Sequence, residues 1–186
     1  METIRLQTWI DAPVERCFLL SLSIDLHLAS TRKTGEQAIA GVTTGIIGEG
    51  QTVTFRARHV GKWRQHTSRI EALRPCSYFR DVMVDGSFRR FEHDHHFATM
   101  DDGTRMRDDI LFVAPWGAAG RILARRRLIE VLRERNAFLK QVAESDEWRQ
   151  YLDGTVETRQ PIATGGSTRR WDPNMLQNAS RITPRI

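Results

Sequence analysis

The chain has 186 residues, with 28 Lys and Arg against 23 Asp and Glu for a net charge of +5, and 40% of its residues are hydrophobic. That length suits one domain with a sizeable core, and the composition excludes a fully disordered or collagen-like chain. No apolar run approaches the roughly 20 residues that cross a bilayer, and Met1-Glu2-Thr3-Ile4-Arg5 lacks the basic start of a secretion signal, so a cytoplasmic protein is expected.

Thr3 to Asp11 alternates, with Ile4, Leu6, Thr8 and Ile10 on one side and Arg5, Gln7 and Trp9 on the other, which predicts a half-buried strand. Pro13 then opens a short helix in which Val14, Cys17, Phe18 and Leu22 recur at helical spacing, and Ile24 to Ser30 predicts a second. Turn signals at Gly48-Glu49-Gly50, Gly61-Lys62, Arg74-Pro75, Asp85-Gly86 and Asp101-Asp102-Gly103 divide the next stretch into six strands near 37–45, 51–60, 62–73, 78–84, 88–99 and 104–113. Short turns imply an antiparallel meander. Ala118 to Glu144 is the longest periodic segment, an amphipathic helix whose apolar stripe is read as Ile122, Leu128, Ile129, Leu132, Leu139 and Val142. Sheet and helix would each leave an apolar face in water unless one wraps the other, so the reading is an α+β fold with a seven-stranded curved antiparallel sheet around a long C-terminal helix. Phe18, Trp9 and Phe55 read as core. The domain is expected to span 1–145, and the Gly- and Pro-rich 146–186 has the composition of a tail, with Trp148, Tyr151 and Trp171 as its anchors.

Cys17 and Cys76 have no CxxC spacing and read as free thiols. Arg121 to Lys140 carries seven basic residues against Glu130 and Glu134. A solvated helix face explains that run better than a specific nucleic-acid site; the same face would serve peripheral contact with an anionic membrane, and the helix or the tail would serve a homodimer.

Ile10-Asp11-Ala12-Pro13 with Phe18, then Phe79 and Asp81, then Gly86-Ser87-Phe88 through Phe91, His93, His95 and Phe97 into Thr104, Met106 and Asp108, closing with Pro115 and Gly117, resembles the Bet v 1-like, START-related superfamily. This is the SRPBCC group, of the polyketide cyclase/dehydrase and lipid transport type, and the resemblance covers about residues 1–145. It is similar to a bacterial branch, some of whose members resemble a domain fused to cell-division-inhibitor-like epimerases. Relatives often have Gly-Pro-Phe where this chain has Gly86-Ser87-Phe88, Trp at Phe91 and Tyr at Phe112. The resemblance implies a helix-grip fold and a cavity for a lipid, quinone or polyketide; it implies no single reaction.

The sharpest feature is Phe91-Glu92-His93-Asp94-His95-His96-Phe97. Strand alternation puts Phe91, His93, His95 and Phe97 on one face. With Asp101-Asp102 as a two-residue turn, the facing pairs are Phe97 with Met106, His95 with Asp108, His93 with Ile110, and Phe91 with Phe112. These eight residues are expected to line the cavity, with Asp81 as a further ligand-binding carboxylate. His95 with Asp108 is the candidate catalytic pair, the imidazole as general base and the carboxylate orienting it; the plainer alternative is a hydrogen-bonded pair that fixes the sheet or orients a ligand. His93, His95 and Asp108 together form a possible metal set, but without Cys or a fourth ligand no metal and no cofactor is expected. The chain has no GxxxxGK[ST], HExxH or GxSxG motif. His66 reads as a surface or edge residue, and parity leaves open whether it and Ser68 face the pocket. The leading expectation is binding or transport of a small hydrophobic ligand; the alternatives are a cyclase, dehydratase or hydrolase using the His-Asp pair, and a basic adaptor for nucleic acid or membrane.

Overall fold

A computed structural model describes residues 1–59, 62–115 and 117–152. Strand β1 (Glu2–Ile10) leads into helices α1 (Val14–Leu22) and α2 (Ile24–Ser30). Strands β2 (Gln37–Gly41), β3 (Thr52–His59), β4 (Lys62–Arg74), β5 (Tyr78–Asp85), β6 (Arg90–Met100) and β7 (Gly103–Val113) follow, then the long helix α3 (Gly117–Ala143) and the single turn α4 (Arg149–Leu152). The seven strands form one antiparallel sheet in the order β1-β7-β6-β5-β4-β3-β2. Each strand except β1 pairs with its neighbour in sequence, and β1 closes against β7, so the central strands β5, β6 and β7 carry their inward side chains beneath the helices. Among the described residues, no helix is long and apolar enough to cross a membrane.

The β6–β7 turn falls on Asp101-Asp102, with Met100 paired to Gly103 and Asp101 in the left-handed region at φ 48°, a conformation that Asp tolerates better than most residues. A side chain at Gly103 would stand 2.7 Å from the Ile10 carbonyl oxygen, so glycine lets β7 lie tight against the end of β1. β2 stops four residues short of the expected end. Gly41 has φ 74°, and a Cβ there would meet the Thr52 carbonyl oxygen at 2.1 Å. Beyond it the chain turns inward, burying Ile46 and Ile47 and bridging Ile46 to Ser23 between α1 and α2.

The main core joins α1, the sheet and the C-terminal half of α3: Phe18, fully buried, meets Phe79 and Phe97 edge-on at 5.9 and 5.4 Å, and Leu139 and Val142 close over the same cluster. A smaller cluster holds Ile4, Ile110, Phe112 and Leu132.

Two expectations about apolar residues are corrected. Trp9 is 46% exposed, because it shares the outer face of β1 with Arg5 while Ile4 and Ile10 point inward. Ile122 is 52% exposed: at about 100° per residue it lies some 120° round the helix from Leu128. The buried stripe runs instead through Leu132, Arg135, Asn136, Leu139, Val142 and Ala143, which places two polar side chains in the interior. The packed unit also continues past residue 145. Trp148 and Tyr151 lie against the main core, Leu152 is buried in it, and the guanidinium of Arg16 lies over the Trp148 ring at 4.6 Å. Trp171 and the remainder of the expected tail lie outside the described residues.

Candidate functional site

The β6–β7 register is the one the turn implies: His95 opposite Asp108, His93 opposite Ile110, Phe97 opposite Met106 and Phe91 opposite Phe112. β5 adds a third row to this surface, with Asp81 opposite His93 and Phe79 opposite His95. One patch of the inner face therefore holds two imidazoles between two carboxylates. The rings of His93 and His95 stand 3.7 Å apart, and Phe79 stacks on His95 at 4.0 Å.

Each imidazole makes one aligned hydrogen bond to a carboxylate and turns its other nitrogen toward a second. His93 Nε2 makes a 2.9 Å hydrogen bond with Asp108 Oδ1, and its Nδ1 is 3.7 Å from Asp81 Oδ2. His95 Nε2 makes a 3.0 Å hydrogen bond with Asp81 Oδ2; its Nδ1 is 3.0 Å from Asp108 Oδ1 but lacks hydrogen-bond alignment. The expected His95–Asp108 pair is thus present as a close contact, while the aligned partner of His95 is Asp81 and that of Asp108 is His93.

Asp108 is fully buried and is reached from α3: Asn136 Nδ2 donates to its Oδ2 at 2.7 Å, and Arg135 Nη1 approaches its Oδ1 at 3.9 Å. Asp81 reaches along the inner face to β4, where Ser68 Oγ donates to it at 3.4 Å and His66 Nε2 is 3.0 Å from the same hydroxyl. A chain of polar groups therefore runs across four strands, from His66 to Asn136. Among the described residues, Asp81, His93 and His95 are the one group of three ligand-type side chains whose atoms all lie within 4.8 Å of one another.

Burial raises the Asp81 carboxyl, but the His95 hydrogen bond and the charges of His93 and His95 outweigh it and leave it lowered to about 2. Asp108 is likewise raised by burial and carried well below the carboxylate range by its bonds to His93 and His95. Burial, with the adjacent His95, holds His93 below its ordinary value despite the bond to Asp108. All three groups bind fewer protons folded than unfolded, so each loses its stabilisation as the pH falls. The melting temperature is expected to drop in two stages on acidification, below about pH 6.5 for His93 and again below about pH 4 for the two carboxylates; Asp108→Asn should shrink the second stage in a thermal-melt series across pH.

In front of this patch lies a cavity of about 200 Å³ between the sheet, α3 and the α1–α2 junction. Asp81, Phe91, His93, His95 and Ile110 line it, as expected from the sequence. Phe97, Met106, Asp108 and Phe112 do not, because helices cover them. Phe97 packs under Phe18 of α1, Met106 is within 3.8 Å of Ser21 Oγ, Asp108 lies beneath Asn136, and Phe112 belongs to the cluster under Leu132. His66, read as a surface residue, is half-buried on the cavity wall with Ser68, both pointing inward with Ile70 on β4. Burial lowers the His66 pKa against the pull of Asp81. Sequence reasoning also missed His27, which bonds Glu36 at 3.1 Å and stacks on Phe55 at the cavity's far end, and Arg135, only 9% exposed. Arg135 was legible only through its spacing with Leu132 and Leu139, which its charge disguised.

An antiparallel seven-stranded sheet around a long helix, with two short helices after the first strand, is the helix-grip fold of Bet v 1-like and START proteins. No family model and no curated protein matches the chain. Among solved structures it is similar to a protein of Chromobacterium violaceum, with a TM-score of 0.62 at 15% identity over 78% of this chain and 100% of that one. It is similar to a START superfamily protein from Mycobacterium smegmatis, with a TM-score of 0.60 at 10% identity over 76% and 97%. It is also similar to Ara h 8.0201, with a TM-score of 0.56 at 11% identity over 74% and 97%. At these identities the likeness is one of fold.

Proposed function

We propose that the protein binds a small, largely apolar molecule in the cavity between sheet and α3, with a polar group of that molecule held against His93, His95 and Asp81. The observation that carries this reading is the cavity itself: apolar walls from Phe55, Ile70, Phe79, Phe91 and Leu132 around the titratable patch of Asp81, His93 and His95. An apolar hollow with a few convergent polar groups is the usual form of a ligand site, and perturbed acids and bases concentrate in such places. At about 200 Å³ the cavity is smaller than the roughly 300 to 1,000 Å³ of drug-sized ligands, which favours a compact ring system over an extended acyl chain.

Two rival readings have less support. A general base needs a lone pair within reach of the proton it takes, whereas His95 Nε2 is hydrogen-bonded to Asp81 and its other nitrogen, Nδ1, faces the fully buried Asp108. The basic helix face is partly neutralised: Glu2 pairs with Arg121 and Arg125, Arg127 pairs with Glu130, and Arg135 points inward.

Val131 lines the cavity from α3, and Val131→Phe fills space there at a cost of about 1–3 kcal/mol. Mass spectrometry of organic extracts of the purified protein is expected to find a bound compound in the wild type and at least tenfold less, by order of magnitude, in a folded Val131→Phe variant. Equal amounts in both, or none in the wild type, would contradict the proposal.

A further inference from the structure

We propose that Asp81, His93 and His95 form a site for a divalent transition-metal cation of the zinc type, with Asp108 orienting both imidazoles from their opposite edges. The inference goes beyond ligand binding and does not depend on it.

Counting hydrogens leads there. Four short approaches join the two imidazoles to two carboxylate oxygens: His93 Nε2 and His95 Nδ1 at 2.9 and 3.0 Å from Asp108 Oδ1, and His95 Nε2 and His93 Nδ1 at 3.0 and 3.7 Å from Asp81 Oδ2. A neutral imidazole carries one N–H, and an ionised carboxylate only accepts. Two neutral rings therefore supply two protons, which the two aligned bonds, His93 Nε2 with Asp108 and His95 Nε2 with Asp81, take up, while His93 Nδ1 at 3.7 Å and the unaligned His95 Nδ1 keep lone pairs beside carboxylate oxygens. A cation at Asp81 would use the lone pair of His93 Nδ1 and, with the His95 proton moved to Nδ1, that of His95 Nε2.

Burial places the cation on the Asp81 side. Asp108 is fully buried and accepts from His93 Nε2 and Asn136 Nδ2, and His95 Nδ1 stands 3.0 Å from the same Asp108 oxygen that His93 bonds, where it would carry the ring proton once Nε2 binds a cation. His93 Nδ1 and His95 Nε2 then face Asp81 Oδ2 at the cavity wall. Metal-bound histidines characteristically donate their second ring N–H to a carboxylate in this way. Bonds of about 2.0–2.1 Å place the ligand atoms of a tetrahedral site about 3.3 Å apart, and the two edges at Asp81 Oδ2 measure 3.0 and 3.7 Å. Two imidazoles and one carboxylate suit zinc, iron, copper or nickel, whereas magnesium and calcium prefer oxygen ligands. Coordination left open by three protein ligands faces the cavity.

The test is titration of the full chain, stripped by a chelator, with Zn²⁺ in a calorimeter and with Co²⁺ followed by visible absorption. One equivalent is expected to bind. Asp81→Asn and His95→Gln should each weaken binding at least 100-fold, Asp108→Asn should weaken it about 10- to 100-fold, and His96→Gln, on the outer face, should leave it unchanged. Asp81→Cys should restore binding and add a thiolate-to-cobalt charge-transfer band, a rescue that a merely structural Asp81 would not give. Absence of stoichiometric binding in the wild type, or wild-type affinity in folded Asp81→Asn and His95→Gln, would overturn the proposal.

Discussion

Asp108→Leu is expected to lower the unfolding free energy by about 3–5 kcal/mol, the loss typical when one partner of a buried charge cluster is removed. Asp108 is fully buried, accepts from His93 and Asn136, and lies 3.9 Å from the nearly buried guanidinium of Arg135. Without it, Arg135 loses the carboxylate nearest its charge in the interior, His93 loses its aligned acceptor, and Asn136 keeps only Thr8 Oγ1. For a domain of this size the loss corresponds to a fall of roughly 6–20 °C in melting temperature. Asp108→Asn keeps an acceptor oxygen and should cost less. Urea unfolding of both variants measures the difference, and a loss under about 1 kcal/mol for Asp108→Leu would mean that the cluster does not anchor α3 to the sheet.

Leu139→Asp is expected to abolish the cooperative melt. Leu139 is fully buried where α3 crosses the main core. The substitution removes an apolar side chain worth about 1.5–3 kcal/mol of burial and places an unpaired charge in the interior at a further cost of about 3–5 kcal/mol. The loss of about 5–8 kcal/mol matches or exceeds the stability of a domain in the lower half of the roughly 5–15 kcal/mol range. Ile129 provides the contrast: it is only half-buried, at the edge of the smaller cluster, so Ile129→Asp should still fold. Near-ultraviolet circular dichroism on heating separates the two, and a native, cooperative Leu139→Asp would show the helix face to be wrongly assigned.

The element order and the β6–β7 register were legible because they rest on local signals. Parity fixed the face of His93 and His95, and the Asp101-Asp102 turn fixed their partners. The place of Asp81 was not legible in the same way. A two-residue turn at Asp85-Gly86 would set Asp81 opposite Arg90, whereas the longer connection sets it opposite His93, and loop length cannot be read from a turn signal alone. The face of His66 was hidden by register shifts between β4 and β5 at Thr67/Ser68 and Ile70/Ala72. Arg135 and Asn136 occupy buried positions of the helix stripe, and a reading that follows apolar residues passes over them, although their partner Asp108 was already marked. Ile122 failed for the converse reason: its side chain is apolar but its helical phase is wrong.

The wall formed by Asp81, His93 and His95 is expected to receive the polar end of the cavity's ligand. Histidine ring-nitrogen NMR tests it most directly, with His96 as an internal control because it lies on the opposite face of the same strand. Restoring the extracted compound to stripped protein is expected to move the ring signals of His93 and His95 and to leave those of His96 in place. Unmoved His93 and His95 signals on saturation with that compound, or a shift confined to His96, would contradict it.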